Sequence, residues 1–316
     1  MHGWLVIDKP VGLGSTDVVS RVKRALREGG YAKLKVGHGG TLDPLASGVL
    51  PVALGEATKL AGRMLDADKV YEFTIRFGEE TDTLDSEGEV VATSEAQPTL
   101  EQVEAVLERF TGEIDQVPPA YSALKVDGRR AYALARAGEQ VELASRNVRI
   151  HSLFVRAEPV EAHSFSVAEA GEGRASTGSA RTVSQTTLEA RVSKGTYIRS
   201  LARDIAHALD CVGHVAMLRR LKAGPFTLGS AISLDKMGEL AKARQLEQAL
   251  LPLAAGLDDI PALPVTPDQA RALREGRRLA GIAAKPGLHL ATDQSVPVAL
   301  VELSEGDLRV VRGFNI

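Results

Sequence analysis

The chain has 316 residues, 44% of them apolar and 25% charged, an ordinary globular composition that excludes wholesale disorder and fibrous architecture and leaves room for two domains. Its single cysteine, Cys211, excludes an internal disulfide framework and a cysteine-rich zinc site and fits a reducing, cytoplasmic compartment; no apolar run approaches the roughly 18 residues of a membrane span, and the N-terminus shows no export signal. The net charge of −3, from 38 basic and 41 acidic residues, argues against a polyanionic partner only until it is read by segment.

In chain order, WLVIDKP reads as a strand stopped by Pro10. STDVVSRVKRALREGG then reads as an amphipathic helix capped by Ser15 or Thr16, with Val18, Val19, Val22 and Leu26 on its buried side. In VYEFTIRF, the residues Tyr71, Phe73, Ile75 and Phe77 alternate with more polar ones, the period of a half-buried strand. Thr99 and Gln102 form the reciprocal pair of a capping box, ahead of a helix that would bury Leu100, Val103, Val106, Leu107 and Phe110. Residues 157–187, rich in Ser, Gly, Ala and Glu, read as a flexible insertion, after which LEARVSKGTYI resumes as strand and runs into a helix carrying Leu201, Ile205 and Leu209. A boundary falls near residues 250–265, where LPLAAGLDDIPALPVTP packs three prolines between Ile260 and Pro267 and reads as a linker. Beyond it, Thr266 caps a helix with Pro267 at its first position, and short alternating segments complete a small β-barrel. The domains are therefore set at 1–250 and 251–316.

Charge is distributed unevenly along this order. Residues 79–115 hold twelve acidic side chains against Arg109 alone, whereas residues 121–156 and 191–226 carry net charges of +4 and +5. Two basic stretches flank one acidic stretch, and a polyanion has somewhere to dock.

The stretch richest in chemistry is GHGGTLDPLASGVLPVALGEATKL, residues 37–60. Its glycines signal backbone conformations or close approaches that a side chain would block. The pattern of a triphosphate-binding loop is absent. Pro44 pushes Asp43 into an extended conformation among apolar neighbours, where a carboxylate needs a cation or hydrogen-bond donors; an Asp-Pro pair also serves as an ordinary turn starter or helix cap.

The same stretch resembles the catalytic motif of the TruB family of tRNA pseudouridine synthases. The resemblance continues in DKPVGLGSTDVV, in KVYEFTIRFGEETDTLDSEGEV, in QVPPAYSALKVDGRRAYALARAG and in SKGTYIRSLARDIAHALDCVGHVAMLRRLKAGPF, which together cover most of residues 4–226 in family order. Family sequences often have Thr where this chain has Gly39. The resemblance implies an α+β fold built on a mixed, largely antiparallel sheet with flanking helices, followed by a PUA-like RNA-binding barrel. It implies isomerisation of uridine 55 in the T-loop of tRNA, without cofactor or metal, by a monomer that binds the T-loop and stem. A tRNA-binding or tRNA-folding factor without catalysis is the alternative.

Residue by residue, the resemblance makes Asp43 the carboxylate that attacks or assists at the ribose, and Arg199 the arginine that pairs with it. Tyr71 stands against the target base, His38 enters the T-loop as the base leaves, and Leu218 lines the base pocket. Lys125, Arg129, Arg130, Arg219 and Arg220 are candidate phosphate contacts. Lys9, in the DKP motif, supports the loop around the site.

Overall fold

The computed structural model describes residues 1–122, 124–126, 128–139, 141–156 and 182–316. The chain forms two units, one of residues 1–67 with 220–316, the other of residues 68–219. It returns from the second unit to the first between Arg219 and Arg220, inside the strand Gly213–Ala223.

In the first unit the strand Gly3–Lys9 lies antiparallel to Ser47–Leu54 on one side and to Leu250–Pro252 on the other. The short strand Val36–His38 also pairs with Ser47–Leu54, placing His38 opposite Val52. The helix Ser15–Glu28 connects the first strand to Val36–His38 and buries Val18, Val19, Val22 and Leu26, the stripe its spacing implies. Its cap differs from the expected one. Gly14 occupies the N-cap position and its N–H donates to the Asp17 carboxylate at 3.0 Å, because the Ser15 hydroxyl is engaged elsewhere. Trp4 anchors the core with Val6, Val49, Met64, Phe226 and Phe314, its ring tilted against Phe226 with centroids 5.2 Å apart.

The linker expected near residues 250–265 is instead built into this unit. Leu250–Pro252 adds a strand edge to Gly3–Leu5, the indole Nε1 of Trp4 donates to the Leu253 carbonyl at 3.1 Å, and Gly256 lies against the face of that indole. Proline density marked a boundary, but the apolar residues around it had a core to enter. Residues 262–313 carry a four-stranded sheet in the order Ala262–Pro264, Gly287–Asp293, Val296–Ser304, Asp307–Gly313, the first pair parallel and the others antiparallel. The helix Pro267–Arg274, capped by Thr266 with Gln269 in reciprocal hydrogen bonds, packs on it through Ala270 and Leu273. This segment groups with residues 1–67 rather than standing apart at residue 251.

In the second unit the strands run antiparallel in the order Lys69–Phe77, Gln185–Val192, Arg146–Val155, Gly112–Gln116. The helices Leu100–Leu107 and Ile198–Ala208 cover a core of Phe73, Ile75, Val103, Leu188, Leu201 and Ile205. Thr99 and Gln102 make both bonds of the capping box, at 3.2 and 2.8 Å. Leu100, expected in the buried stripe, is 40% exposed because it stands at the first helical position, ahead of the turn that meets the core. The insertion expected at 157–187 lies outside the described residues as far as 181. Thr182 bridges to Thr99, and the strand begins at Gln185, three residues before its alternating pattern becomes visible.

The packing of Gly256 gives a direct check that residues 250–256 belong to the core. A Cβ at this position would stand 2.7 Å from Trp4 Nε1. Gly256→Ala is expected to lower unfolding stability by about 1–3 kcal/mol, read as a shift in the urea midpoint at unchanged slope.

Candidate active site

Asp43 lies in a segment without helix or strand, between the strands Val36–His38 and Ser47–Leu54, and its side chain is half-buried. Three side chains of the first unit hold the backbone around it. The Ser15 hydroxyl accepts from the Leu42 N–H at 2.8 Å and donates to the Leu42 carbonyl at 3.1 Å. Arg220, 1% exposed, donates through Nε to Val49 O at 2.8 Å, through one terminal nitrogen to Thr41 O at 3.2 Å and through the other to Gly40 O at 3.4 Å. Lys9, fully buried, donates from Nζ to the carbonyls of Leu13 at 2.5 Å, Pro10 at 3.0 Å and Pro44 at 3.2 Å.

An ammonium has three N–H donors, and the three carbonyls around Lys9 match them. Burial lowers the Lys9 pKa from 10.5 to about 8, opposed by the nearby Asp43 carboxylate and assisted by the positive charge of Arg220. Arg220 departs from its expected role. Its guanidinium is enclosed and committed to carbonyls, so it is a strut of the Asp43 segment and not a phosphate contact.

His38 is half-buried at the end of its short strand. Burial pushes its pKa below 6.5, which leaves the imidazole neutral at pH 7, and among the described residues its Nδ1 is enclosed without a hydrogen-bond partner. Gly39 has a local cause for its departure from the family pattern. A Cβ there would stand 2.7 Å from Met64 Cβ and 3.5 Å from the Trp4 ring, so Met64 occupies the space that a threonine side chain would need.

The second unit holds a set of its own. Arg199, at the start of the helix Ile198–Ala208, is 6% exposed. It donates to the carbonyls of Thr83 at 2.7 Å and Tyr121 at 3.0 Å, and lies 3.3 Å from an Asp85 carboxylate oxygen. The other Asp85 oxygen accepts from the Thr83 hydroxyl at 2.6 Å and from the Glu87 N–H at 3.1 Å. Asp85 was not singled out from sequence. Its signal lay in TDTLDSEGE, whose threonines and glycine make a self-bonded loop that aims one carboxylate inward. Gln116 grips the residue before this helix start from both sides, accepting from Tyr197 N–H at 2.8 Å and donating to its carbonyl at 3.2 Å. Tyr71 and Leu218 are both partly buried against the apolar core of this unit.

Lys125, Arg129 and Arg130 are exposed on the hairpin formed by Lys125–Val126 and Arg129–Arg130. Lys125 stands directly opposite Arg130, a like-charge pair that is unfavourable until an anion joins it. Arg129 is held by Glu139 through two bonds of 2.9 and 3.2 Å. Arg219, partly exposed, is the last residue of this unit. No three His, Cys, Asp or Glu side chains converge as metal ligands would among the described residues. No helix among them is long and apolar enough to cross a membrane.

Two family models match the chain. One, for the N-terminal domain of TruB family pseudouridylate synthases, covers residues 24–198; the other, for the C-terminal domain of tRNA pseudouridylate synthase B, covers residues 199–258. A relative from Novosphingobium aromaticivorans, named tRNA pseudouridine synthase B, is 60% identical over 100% of this chain and 98% of its own length. One of the same name from Zymomonas mobilis is 58% identical over 100% of this chain and 96% of its own. Among solved structures, a chain in "Crystal Structure of a Cbf5-Nop10-Gar1 Complex" aligns with a TM-score of 0.70 at 25% identity, over 99% of this chain and 84% of that one. A chain in "Structure of H/ACA RNP bound to a substrate RNA containing 2'-deoxyuridine" shares the fold with the same TM-score at 23% identity, over 99% and 85%.

Two outcomes test the geometry. Gly39→Thr is expected to destabilise the protein by about 1–3 kcal/mol, and Met64→Gly in the same chain, which removes the Cβ that a threonine at position 39 would meet, to cost less there than in the Gly39 background; additive losses in urea unfolding would show that residue 64 is not the obstacle. The depressed pKa of Lys9 means that between pH 8 and 10.5 the unfolded chain holds a proton that the folded chain has released. Stability therefore rises with pH across that window, and the rise disappears in Lys9→Met; urea midpoints collected from pH 7 to 10.5 decide it.

Proposed function

The chain belongs to the TruB family of pseudouridylate synthases, and from that membership we propose that it converts uridine 55 in the T-loop of tRNA to pseudouridine. The observation that carries this reading is the correspondence with tRNA pseudouridine synthases B at 58–60% identity along the full chain. The reaction breaks the N1–C1′ bond, rejoins the ring to C1′ through C5, and exchanges the C5 hydrogen for a proton on N1. The product is an isomer of the substrate, so no electrons or water are consumed.

Asp43 is the group proposed to act at the ribose, either as a nucleophile at C1′ or as a base at C2′. The placement of its backbone supports this, because Ser15, Lys9 and Arg220 fix the residues on either side and leave the side chain half-buried. On the family motif, Tyr71 is proposed to stack on the target uracil, Arg199 to favour the ionised carboxylate, and Leu218 to line the base pocket. The base must leave its stack to be reached, and His38, neutral at pH 7, is proposed to enter the space it vacates. Lys125, Arg129, Arg130 and Arg219 are proposed phosphate contacts, with Arg129 exchanging Glu139 for the RNA, and the four-stranded sheet of residues 262–313 a PUA-like RNA-binding module. The substrate and the lone buried thiol of Cys211 support a cytoplasmic enzyme, and no step of the reaction calls for more than a monomer.

Transcribed tRNA labelled with tritium at C5 of uridine tests the reading. The expected result is one equivalent of tritium released per tRNA with the strand and the base retained, abolished by Asp43→Asn while tRNA binding persists. Binding without release by the wild-type protein would identify a folding factor instead, and free uracil a hydrolase.

A further inference from the structure

The helix Ser15–Glu28 buries its apolar stripe and turns Arg21, Lys23, Arg24 and Arg27 to solvent. Lys33 continues the exposed run on the segment leading to the strand Val36–His38. None of the ion pairs found among the described residues engages these five cations. In the second unit, by contrast, Arg76, Arg129, Arg149, Arg156 and Arg191 each have a carboxylate partner. The helix has two carboxylates of its own: Asp17 is bonded to the Gly14 N–H, and Glu28, at the last helical position, takes part in none of the ion pairs found among the described residues. Arg21, Arg24 and Arg27 follow at intervals of three, so like charges neighbour one another on one face, an arrangement that weakens a helix in isolation. A face that needed only to be soluble would mix signs.

We propose that this helix face binds the phosphate backbone of the substrate RNA beyond the loop that carries the target uridine. The proposal rests on the tRNA reading above. The Ser15 hydroxyl is bonded to Leu42, the neighbour of Asp43, so the start of the helix is fixed beside the segment that meets the target base. At about 1.5 Å rise per residue, Arg21, Arg24 and Arg27 follow about 9 to 18 Å further along the axis, one every 4.5 Å or so. A flipped uridine at Asp43 therefore leaves these cations to whatever part of the RNA extends away from the loop. A phosphodiester chain presents one anion per nucleotide in regular succession, relieves the repulsion along the helix, and gains free energy by releasing its own counterions. The nearest described helix, Leu234–Lys242, supplies carboxylates at Asp235 and Glu239, the latter already paired with Lys236, so the face keeps its sign.

The experiment uses the full chain carrying Arg21→Gln, Arg24→Gln and Arg27→Gln together, since glutamine keeps helix propensity and removes charge. Tritium release is measured on full-length tRNA and on a hairpin cut down to the T-loop and its closing pairs, with tRNA binding followed over a range of salt. On full-length tRNA, KM is expected to rise about tenfold with kcat within about twofold, and the slope of log affinity against log salt to become shallower by about 2 to 3. On the hairpin, KM is unchanged. The corresponding triple Arg→Lys chain restores KM, because the contact needs charge at each position and not the guanidinium shape. An unchanged KM on full-length tRNA overturns the proposal, as does an equal rise on both RNAs, which would place the contact in the loop itself. If the wild-type protein released no tritium from either RNA, the catalytic reading alone would fail, and the binding constants and their salt slope would still decide the surface.

Discussion

The arrangement depends on one constraint: the Asp43 carboxylate has to be held in place by a segment that has no ladder of its own. Residues 40–44 form neither helix nor strand, so their carbonyls must find donors elsewhere or remain unsatisfied as they leave water. Lys9 supplies one such donor, to Pro44, and Arg220 supplies two, to Gly40 and Thr41, while the Ser15 hydroxyl bonds both backbone groups of Leu42. A buried cation is normally justified by a carboxylate partner. Here carbonyl dipoles supply the solvation, and Asp43 is the foremost of the two carboxylates whose fields reach Lys9, with Asp17 the lesser.

The second unit solves a related problem with a different material. Arg199 is enclosed and multiply bonded, and its orientation is set by two carbonyls and by Asp85. Asp85 in turn is held by the hydroxyl of Thr83 and the N–H of Glu87, bonds that do not involve the arginine. The acidic run of residues 79–115 is therefore not a uniformly solvated surface. Glu80 engages His207 at 2.6 Å, and Asp85 turns inward to the arginine that the motif marks as functional.

Much of this fold was legible, and the reasons differ by element. The helix Ser15–Glu28 and the capping-box helix Leu100–Leu107 announce themselves because their signals are local: apolar spacing and a reciprocal pair of side chains three residues apart. The strand Lys69–Phe77 shows its period directly. What sequence could not carry was the destination of a polar side chain. Ser15 looks like a helix cap and is instead a tie to Leu42, 27 residues away. Arg220 sits beside Arg219 in LRRL and looks equally exposed, yet the alternation of a strand sends one outward and the other into the core. The proline-rich stretch after residue 250 looked like a linker because prolines mark boundaries, whereas the pocket against Trp4 that receives it is assembled from residues 250 positions distant. Resemblance located Asp43 and Arg199; only the coordinates gave each its local supports.

The cations of the chain therefore fall into three physical classes that one net charge merges. Lys9, Arg199 and Arg220 are enclosed and bonded to backbone carbonyls, so they act on conformation, and bulk salt screens them little. Arg76, Arg149, Arg156 and Arg191 are exposed and paired with carboxylates, so an incoming anion must displace a partner before it gains anything. The face of Ser15–Glu28, with Lys125 and Arg130 on their hairpin, is exposed and concentrates one sign, so the approach of a polyanion there relieves repulsion that is already present. The total of −3 counts all of them alike, although only the third class can meet an incoming anion without first giving up a partner.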